Sequence, residues 1–375
     1  MPFVGHSQRG ALRARHRGDL AATSVRRRNP YRAPVRLRAA TGHDPLAGGG
    51  TMKRIFGGRE FVPALLAVLV FIHGATTSPF FLDFRYLLDK SSLYIEAGLL
   101  ALAMTLVIVG GQIDLSVAST LALVACVTAK LIDGGCPAPL AIVIGLALGG
   151  ALGWLNGVLI ARLKLPSFMV TLGTMAAYRG VAQVLVGSGS AKVPVNLMGV
   201  DMITIPGTSI PLPLVIFVIA TIAVGLLLHR TVYGRWLYSV GTNERAAFFA
   251  GVPTAKVTTL TFTLAGFIAG FGGLVMSSRL GVARYDHGRG LEVDAITAVV
   301  LGGASIAGGN GTIAGTFLAL LLVGLLRTDM GIANVTAEYQ LAAIGTLLVL
   351  SVLVSHLIDR LAARRKGKPL AQSPS

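Results

Sequence analysis

Ten apolar runs, most of them long enough to cross a bilayer, leave few folds open to this chain. From Phe61 they fall near 61–77, 91–110, 115–132, 139–161, 166–186, 212–229, 257–278, 291–304, 312–326 and 338–356. A membrane-crossing helix needs about 20 mostly apolar residues. The runs at 115–132, 291–304 and 312–326 are short or broken by glycine, and short segments can re-enter rather than span, which leaves the count open by about two. Composition points the same way: 53% of residues are hydrophobic and 13% charged, against roughly 25% charged in soluble domains. No water-soluble fold of this length hides so much apolar side chain, so the excess faces lipid. The 47 glycines suit close packing of membrane helices. The expected fold class is all-α, a polytopic membrane helix bundle of about ten transmembrane segments with broken or re-entrant helices.

Orientation follows from where Lys and Arg lie between spans. With the N-terminus inside, ten crossings put Arg162 and Lys164, then Arg230 to Lys256, then Arg360, Arg364, Arg365, Lys366 and Lys368 in the cytoplasm. The opposite face receives 78–90, 133–138, 187–211 and 327–337, which are mixed or nearly neutral. The 187–211 stretch, rich in Gly, Pro, Ser and Thr, reads as an irregular extracytoplasmic segment. Both termini are therefore expected on the cytoplasmic side of the membrane.

The first 51 residues stand apart. They carry ten arginines against Asp19 and Asp44, a net +8, and the rest of the chain holds the other +9 of its +17. No apolar stretch follows Arg26-Arg27-Arg28, which disfavours a twin-arginine export signal. A polybasic arm on anionic lipid remains open. An over-extended start is favoured, because Met52-Lys53-Arg54 begins like a membrane protein. Either way the arm is expected to be disordered. The organisation expected is a disordered arm over 1–51, a membrane domain over 52–360 and a basic tail over 361–375.

Two glycine-centred breaks interrupt the apolar pattern, and irregular backbone at membrane depth survives only where protein or water satisfies it. The first contains Gly110, Gly111, Asp114 and Ser116; the second contains Gly302, Gly303 and Asn310. Asp114 is placed to cap a helix starting at Leu115. The residues leading in are alike, TLVIVGG over 105–111 and TAVVLGG over 297–303. Both would run outside to inside, which hints at a parallel internal repeat. The ionisable residues near membrane depth are Glu96, Asp114, Arg179, Glu292 and Asp294. Such groups face a bundle interior, a pathway or one another. Structural duty competes in each case, and Glu292 and Asp294 suit the first turn of a helix.

Between 233 and 256 lies the longest loop expected in the cytoplasm. Asn243 can cap a short helix through Ala250, Gly251 supplies a left-handed terminus, and Pro253 forbids continuation. Glu244 and Arg245 mark its charged face; Ala246, Ala247, Phe248 and Phe249 offer apolar anchors. A capped helix with both faces suits docking to a soluble partner, although a solvated connector would also explain the charges. No P-loop string occurs, so any ATPase must be another chain. Cys126 and Cys136 lie about 15 Å apart along one helix, beyond disulfide reach, and the seven His are scattered. No metal site, cofactor or catalytic constellation is expected, so the chain is not read as an enzyme.

Four ordered motifs carry a resemblance to a known family. They are Gly111-Gln112-Ile113-Asp114-Leu115-Ser116-Val117-Ala118-Ser119; Pro166 through Thr174; Tyr233-Gly234-Arg235 through Gly241-Thr242-Asn243-Glu244-Arg245-Ala246-Ala247 to Gly251-Val252; and Glu292 through Ile296 to Gly308-Gly309-Asn310-Gly311-Thr312. From about Met52 to Arg360 the chain resembles the integral-membrane permeases of bacterial sugar ABC importers, the ribose, xylose, rhamnose and autoinducer-2 type systems. Gln112, Ala118 and Thr242 stand where that family often has Gly. The resemblance implies a permease domain paired with a second permease subunit, identical or related, in membrane lipid. It further implies a cytoplasmic ABC ATPase against the Gly241–Val252 loop, a periplasmic sugar-binding protein and no nucleic acid. Rhamnose, then a pentose, is the expected sugar. A stand-alone secondary transporter or facilitator is the alternative, and a membrane enzyme a distant third.

Overall fold

In the computed structural model, residues 61–336, 338–347, 349, 350 and 353 are described. The Arg-rich arm, Met52 and the 361–375 tail lie outside them. The described residues form helices almost throughout: α1 (Phe61–Thr77), α2 (Phe84–Ser91), α3 (Ile95–Val109), α4 (Val117–Asp133), α5 (Ala138–Leu163), α6 (Ser167–Val186), α7 (Leu212–Arg230), α8 (Val232–Thr242), α9 (Glu244–Phe249), α10 (Thr254–Leu280), α11 (Leu291–Leu301) and α12 (Ile313–Ile332). A further helical stretch covers 338–347. This is the polytopic helical bundle that the apolar runs predict.

Among the described residues six helical stretches are long and apolar enough to cross a membrane: Phe84–Val109 (α2 and α3 together), Ala138–Leu163, Ser167–Val186, Leu212–Arg230, Thr254–Leu280 and Ile313–Ile332. Two expectations are corrected. The run at 312–326 is not short, because its helix continues through Arg327 to Ile332; Arg327 satisfies its charge inside the protein on Asp294. The run at 91–110 starts earlier, where Asp83 caps α2 by accepting from the Arg85 and Tyr86 amides.

Nearly every residue of α3 is buried, so it is the bundle's axis. A helix apolar on all sides belongs there. α10 packs against it, α5 packs closely on α10, and glycine explains the closeness of that pair. Gly145, Gly149, Gly153 and Gly157 recur every fourth residue of α5 and share one face. A Cβ at Gly149 would sit 2.7 Å from the Gly266 carbonyl oxygen, and one at Gly153 would fall onto the Phe262 carbonyl. Backbones this close gain dispersion that larger side chains would forbid.

Chain direction sorts the connections onto two ends. One end gathers 110–116, 164–166, 231–253 and 302–312; the other gathers 134–137, 187–211 and 281–290. At the second end Ala191–Lys192 pairs antiparallel with Val282–Ala283, and Gly199 N–H donates to the Ser278 carbonyl at 2.9 Å. The 187–211 segment is otherwise irregular, as its composition predicts.

Candidate functional site

The two breaks have the same backbone form. After α3, Gly111 (φ +74°) donates to the Ile108 carbonyl and Gln112 to Val107; after α11, Gly303 (φ +90°) donates to Val300 and Ala304 to Val299. These are paired C-terminal closures that need a left-handed residue, and Gly takes that conformation without a Cβ clash. The likeness of 105–111 to 297–303 thus extends to conformation.

Asp114 does not cap at Leu115, because α4 begins only at Val117. Leu115 and Ser116 form a turn first, and Asp114 Oδ1 accepts from the Ser116 amide (2.8 Å) and hydroxyl (2.6 Å). At 1% exposure Asp114 is enclosed within one chain. The second motif clamps the same turn: Ser167 Oγ accepts from the Ile113 amide at 3.2 Å, and the Thr171 hydroxyl, whose proton is shared with the Ser167 carbonyl at 2.8 Å, reaches the Ile113 carbonyl at 3.3 Å. Two motifs separate in sequence are one structural unit.

The loop joining α7 to α10 contains two helices where one was expected, α8 and α9. Thr231 caps α8 by accepting from Gly234 N–H, and Asn243 caps α9 by accepting from Ala246 N–H at 2.9 Å. Gly251 (φ +85°) closes α9 with the hydrogen bonds Gly251 to Phe248 and Val252 to Ala247. Ala247 is corrected: at 5% exposure it packs inward with Leu237, Val240 and Val257, not on a docking face. Phe249 (86% exposed) and Phe248 (64%) form an edge-on pair with centroids 5.8 Å apart. Arg245 and Ala246 are exposed beside them. Glu244 reaches Lys164 at 2.7 Å, tying α9 to the end of α5; both groups are solvated, so the pair adds little stability.

All four motifs meet at this end. Gly309 N–H donates to the Val109 carbonyl at 2.9 Å, and Tyr238 Oη donates to the Gly311 carbonyl at 2.6 Å. Gly241 of α8 sits between the two breaks: a Cβ there would lie 2.6 Å from the Gly309 amide nitrogen and closer still to the Val109 carbonyl. A Cβ at Gly308 would lie 2.6 Å from Gly111 Cα and 2.7 Å from the Gly241 carbonyl. Asn310 is exposed, and its carbonyl accepts from Ser305 N–H at 3.1 Å. Gly110 and Gly302 close their helices against Leu237 and Gly315 respectively.

The remaining ionisable residues lie away from this junction. Glu96 (2% exposed) accepts from Arg279 Nε at 2.8 Å, joining α3 to α10. Asp294 accepts from Arg327 at 2.7 Å, joining α11 to α12. Glu292 folds back onto the Gly290 amide in the first turn of α11, as expected. Arg179 donates to the Tyr285 carbonyl at 2.9 Å. Near it, outside the spans, Arg284 holds the Asp286 carboxyl down at about 2 through a two-pronged ion pair, and burial lowers the His287 pKa. The sequence alone hid the partners Arg279 and Arg327. Asn156, the one amide in the 139–161 run, is a legible signal of a buried polar contact that the sequence reading leaves unused.

Two glycine breaks that meet under a helical loop, with aromatic side chains exposed at that end, make this a multi-pass helical membrane protein with an elaborated end. Among the described residues no group of three or more His, Cys, Asp or Glu could hold a metal ion. Residues 87–352 match the family described as branched-chain amino acid transport system / permease component, and the chain belongs to that family. It is 35% identical over 328 residues to the autoinducer 2 import system permease protein LsrD of Escherichia coli (strain K12), covering 84% of this chain and 99% of the relative. The proteins of that name from Shigella flexneri and Escherichia coli O157:H7 match equally. The resemblance to sugar ABC importer permeases read from the four motifs is borne out, and the family is one of transport permeases rather than enzymes. No solved structure matches the chain.

Proposed function

We propose that this chain forms the translocation pathway of an ATP-driven importer for a small, hydroxyl-rich solute, with its energy supplied by a separate ATPase at the α8–α9 end. The meeting of the first, third and fourth motifs at Gly241, on the end that exposes the Phe248–Phe249 pair, carries this reading. Solvent-exposed aromatic side chains are typical interface anchors. The end holding them also holds Arg162, Lys164, Arg230, Arg235, Arg245 and Lys256, which supports reading it as the cytoplasmic end by the basic-residue rule. A second permease subunit completes the pathway, and a periplasmic binding protein delivers the solute to the 187–211 end. The relatives' name adds autoinducer 2 to the rhamnose or pentose read from the motifs.

A stand-alone secondary transporter is the weaker reading, because a coupling ion needs free carboxylates in the membrane. Glu96 and Asp294 are each spent on an arginine, and Asp114 Oδ1 on Ser116. The test is uptake of labelled rhamnose, a pentose or autoinducer 2 into vesicles holding this chain, its ATPase and its binding protein. ATP-dependent uptake of one solute supports the proposal; uptake driven by an ion gradient without the ATPase refutes it.

A further inference from the structure

A directed string of hydrogen bonds leaves the first break and runs into the membrane. Ser116 has one hydroxyl proton and gives it to Asp114 Oδ1 at 2.6 Å. Its oxygen must therefore accept, and Asn156 Nδ2 of α5 donates to it at 2.9 Å. That fixes the amide orientation, leaving Asn156 Oδ1 to accept from Tyr178 Oη of α6 at 3.2 Å. The tyrosine proton is shared with the Leu152 carbonyl at 3.1 Å. Asn156, Ser116 and Asp114 are all essentially inaccessible. The carboxylate at the end has no basic side chain within ion-pair distance among the described residues, so the aligned donors stand where a cation otherwise would.

The string's position gives it a use. Its turn also holds Gly111, which lies beside Gly241 of α8. On the other side, α6 grips the turn twice, through Ser167 and Thr171 on Ile113 and through Tyr178 by way of Asn156. The next residue, Arg179, holds the Tyr285 carbonyl in the 281–290 segment. One helix is thus fastened to the break under the loop and to the segment between α10 and α11.

We propose that Asn156 and Tyr178 are positioning residues for transport: their string makes α6 follow the Asp114 turn, carrying displacement of α8 toward the 281–290 segment. The inference rests on the proposed ATPase docking at α8–α9. The test has two arms, on the full chain in nanodiscs and on the reconstituted importer. In the first, Tyr178→Phe and Asn156→Leu should speed amide exchange over 111–117 by about two- to tenfold, the equilibrium equivalent of one hydrogen bond. In the second, the same variants should keep ATPase binding and hydrolysis while solute moved per ATP falls by a similar factor. A merely structural role would lower hydrolysis and transport in proportion, and that result overturns the proposal, as does unchanged exchange in Tyr178→Phe. Tyr178→Phe removes only a hydroxyl, so it keeps the test valid if Asn156→Leu does not fold. The two readings fail separately: an unaltered chain that binds no ATPase refutes docking at α9, whereas unchanged exchange refutes the string even with the ATPase bound.

Discussion

Gly241→Ala adds one carbon at the point where α8 meets both helix breaks. The new Cβ would lie 2.6 Å from the Gly309 nitrogen and overlap the Val109 carbonyl. Non-bonded carbon contacts settle near 3.5–4.0 Å, so the backbones must part by roughly 1 Å. Neither neighbour is a side chain that can rotate away. Overpacking of this kind costs about 1–3 kcal/mol. The displaced pair is also the donor and acceptor of the Gly309-to-Val109 hydrogen bond at 2.9 Å, whose loss adds about 0.5–1.5 kcal/mol. A total of about 2–4 kcal/mol should lower the unfolding temperature by several degrees, and uptake should fall further than expression. The controls are built into the chain. Gly173→Ala meets nothing within 4 Å and should match the unaltered protein. Gly251→Ala has open space but a φ of +85°, so it carries backbone strain of about 1–2 kcal/mol without disturbing the junction. Thermal unfolding in detergent, with uptake in vesicles, separates the three. A Gly241→Ala protein that unfolds like Gly173→Ala and transports fully would refute the idea that this contact is tight or used.

Three further outcomes follow from the same geometry. Phe249→Asp should leave folding intact and abolish co-purification of the ATPase, whereas Ala247→Glu should reduce folded protein because its side chain is buried; the reverse pattern would place the docking face on Ala247. Glu96→Gln should destabilise the bundle by about 3–5 kcal/mol by leaving Arg279 buried without its partner, and adding Arg279→Met should recover most of it; chemical unfolding of the single and double variants decides, and additive losses would exclude a coupled pair. Burial lowers the His287 pKa below its ordinary 6.5, so the unfolded 281–290 segment binds the extra proton first as pH falls. Its stability is full above about 6.5 and declines as pH drops toward the folded-state value; amide protection over 281–290, corrected for intrinsic exchange, should fall between pH 7 and 5, and His287→Gln should flatten that response.

Element type was legible wherever a run was long and uniformly apolar, since a chain in lipid must satisfy every backbone group locally and helix is the answer. Local closures were legible too: Asn243 caps α9 and Gly251 ends it because each acts within four residues of its own position. The helix α8 was missed because its apolar face is completed by α7 and α10 rather than by its own pattern. The start of α4 lies two residues later than expected, at Val117 rather than Leu115, since the turn before it is held by Ser167 and Thr171 from another helix. Ala247 was put on the wrong face because a six-residue helix has too few turns to show which side is buried.

By itself the sequence determined that this chain is a helical membrane protein, where its helices break and which residues terminate them, all consequences of hydrophobicity and backbone sterics acting along the chain. Only the tertiary structure decided that Gly111, Gly241 and Gly309 share one contact, that Glu96 and Asp294 have arginine partners, and that Asn156 and Tyr178 extend the first motif into the membrane. The hydrogen-bonded pairs among them lie from 22 to 183 positions apart, and no local propensity encodes a distance that exists only once the helices have packed.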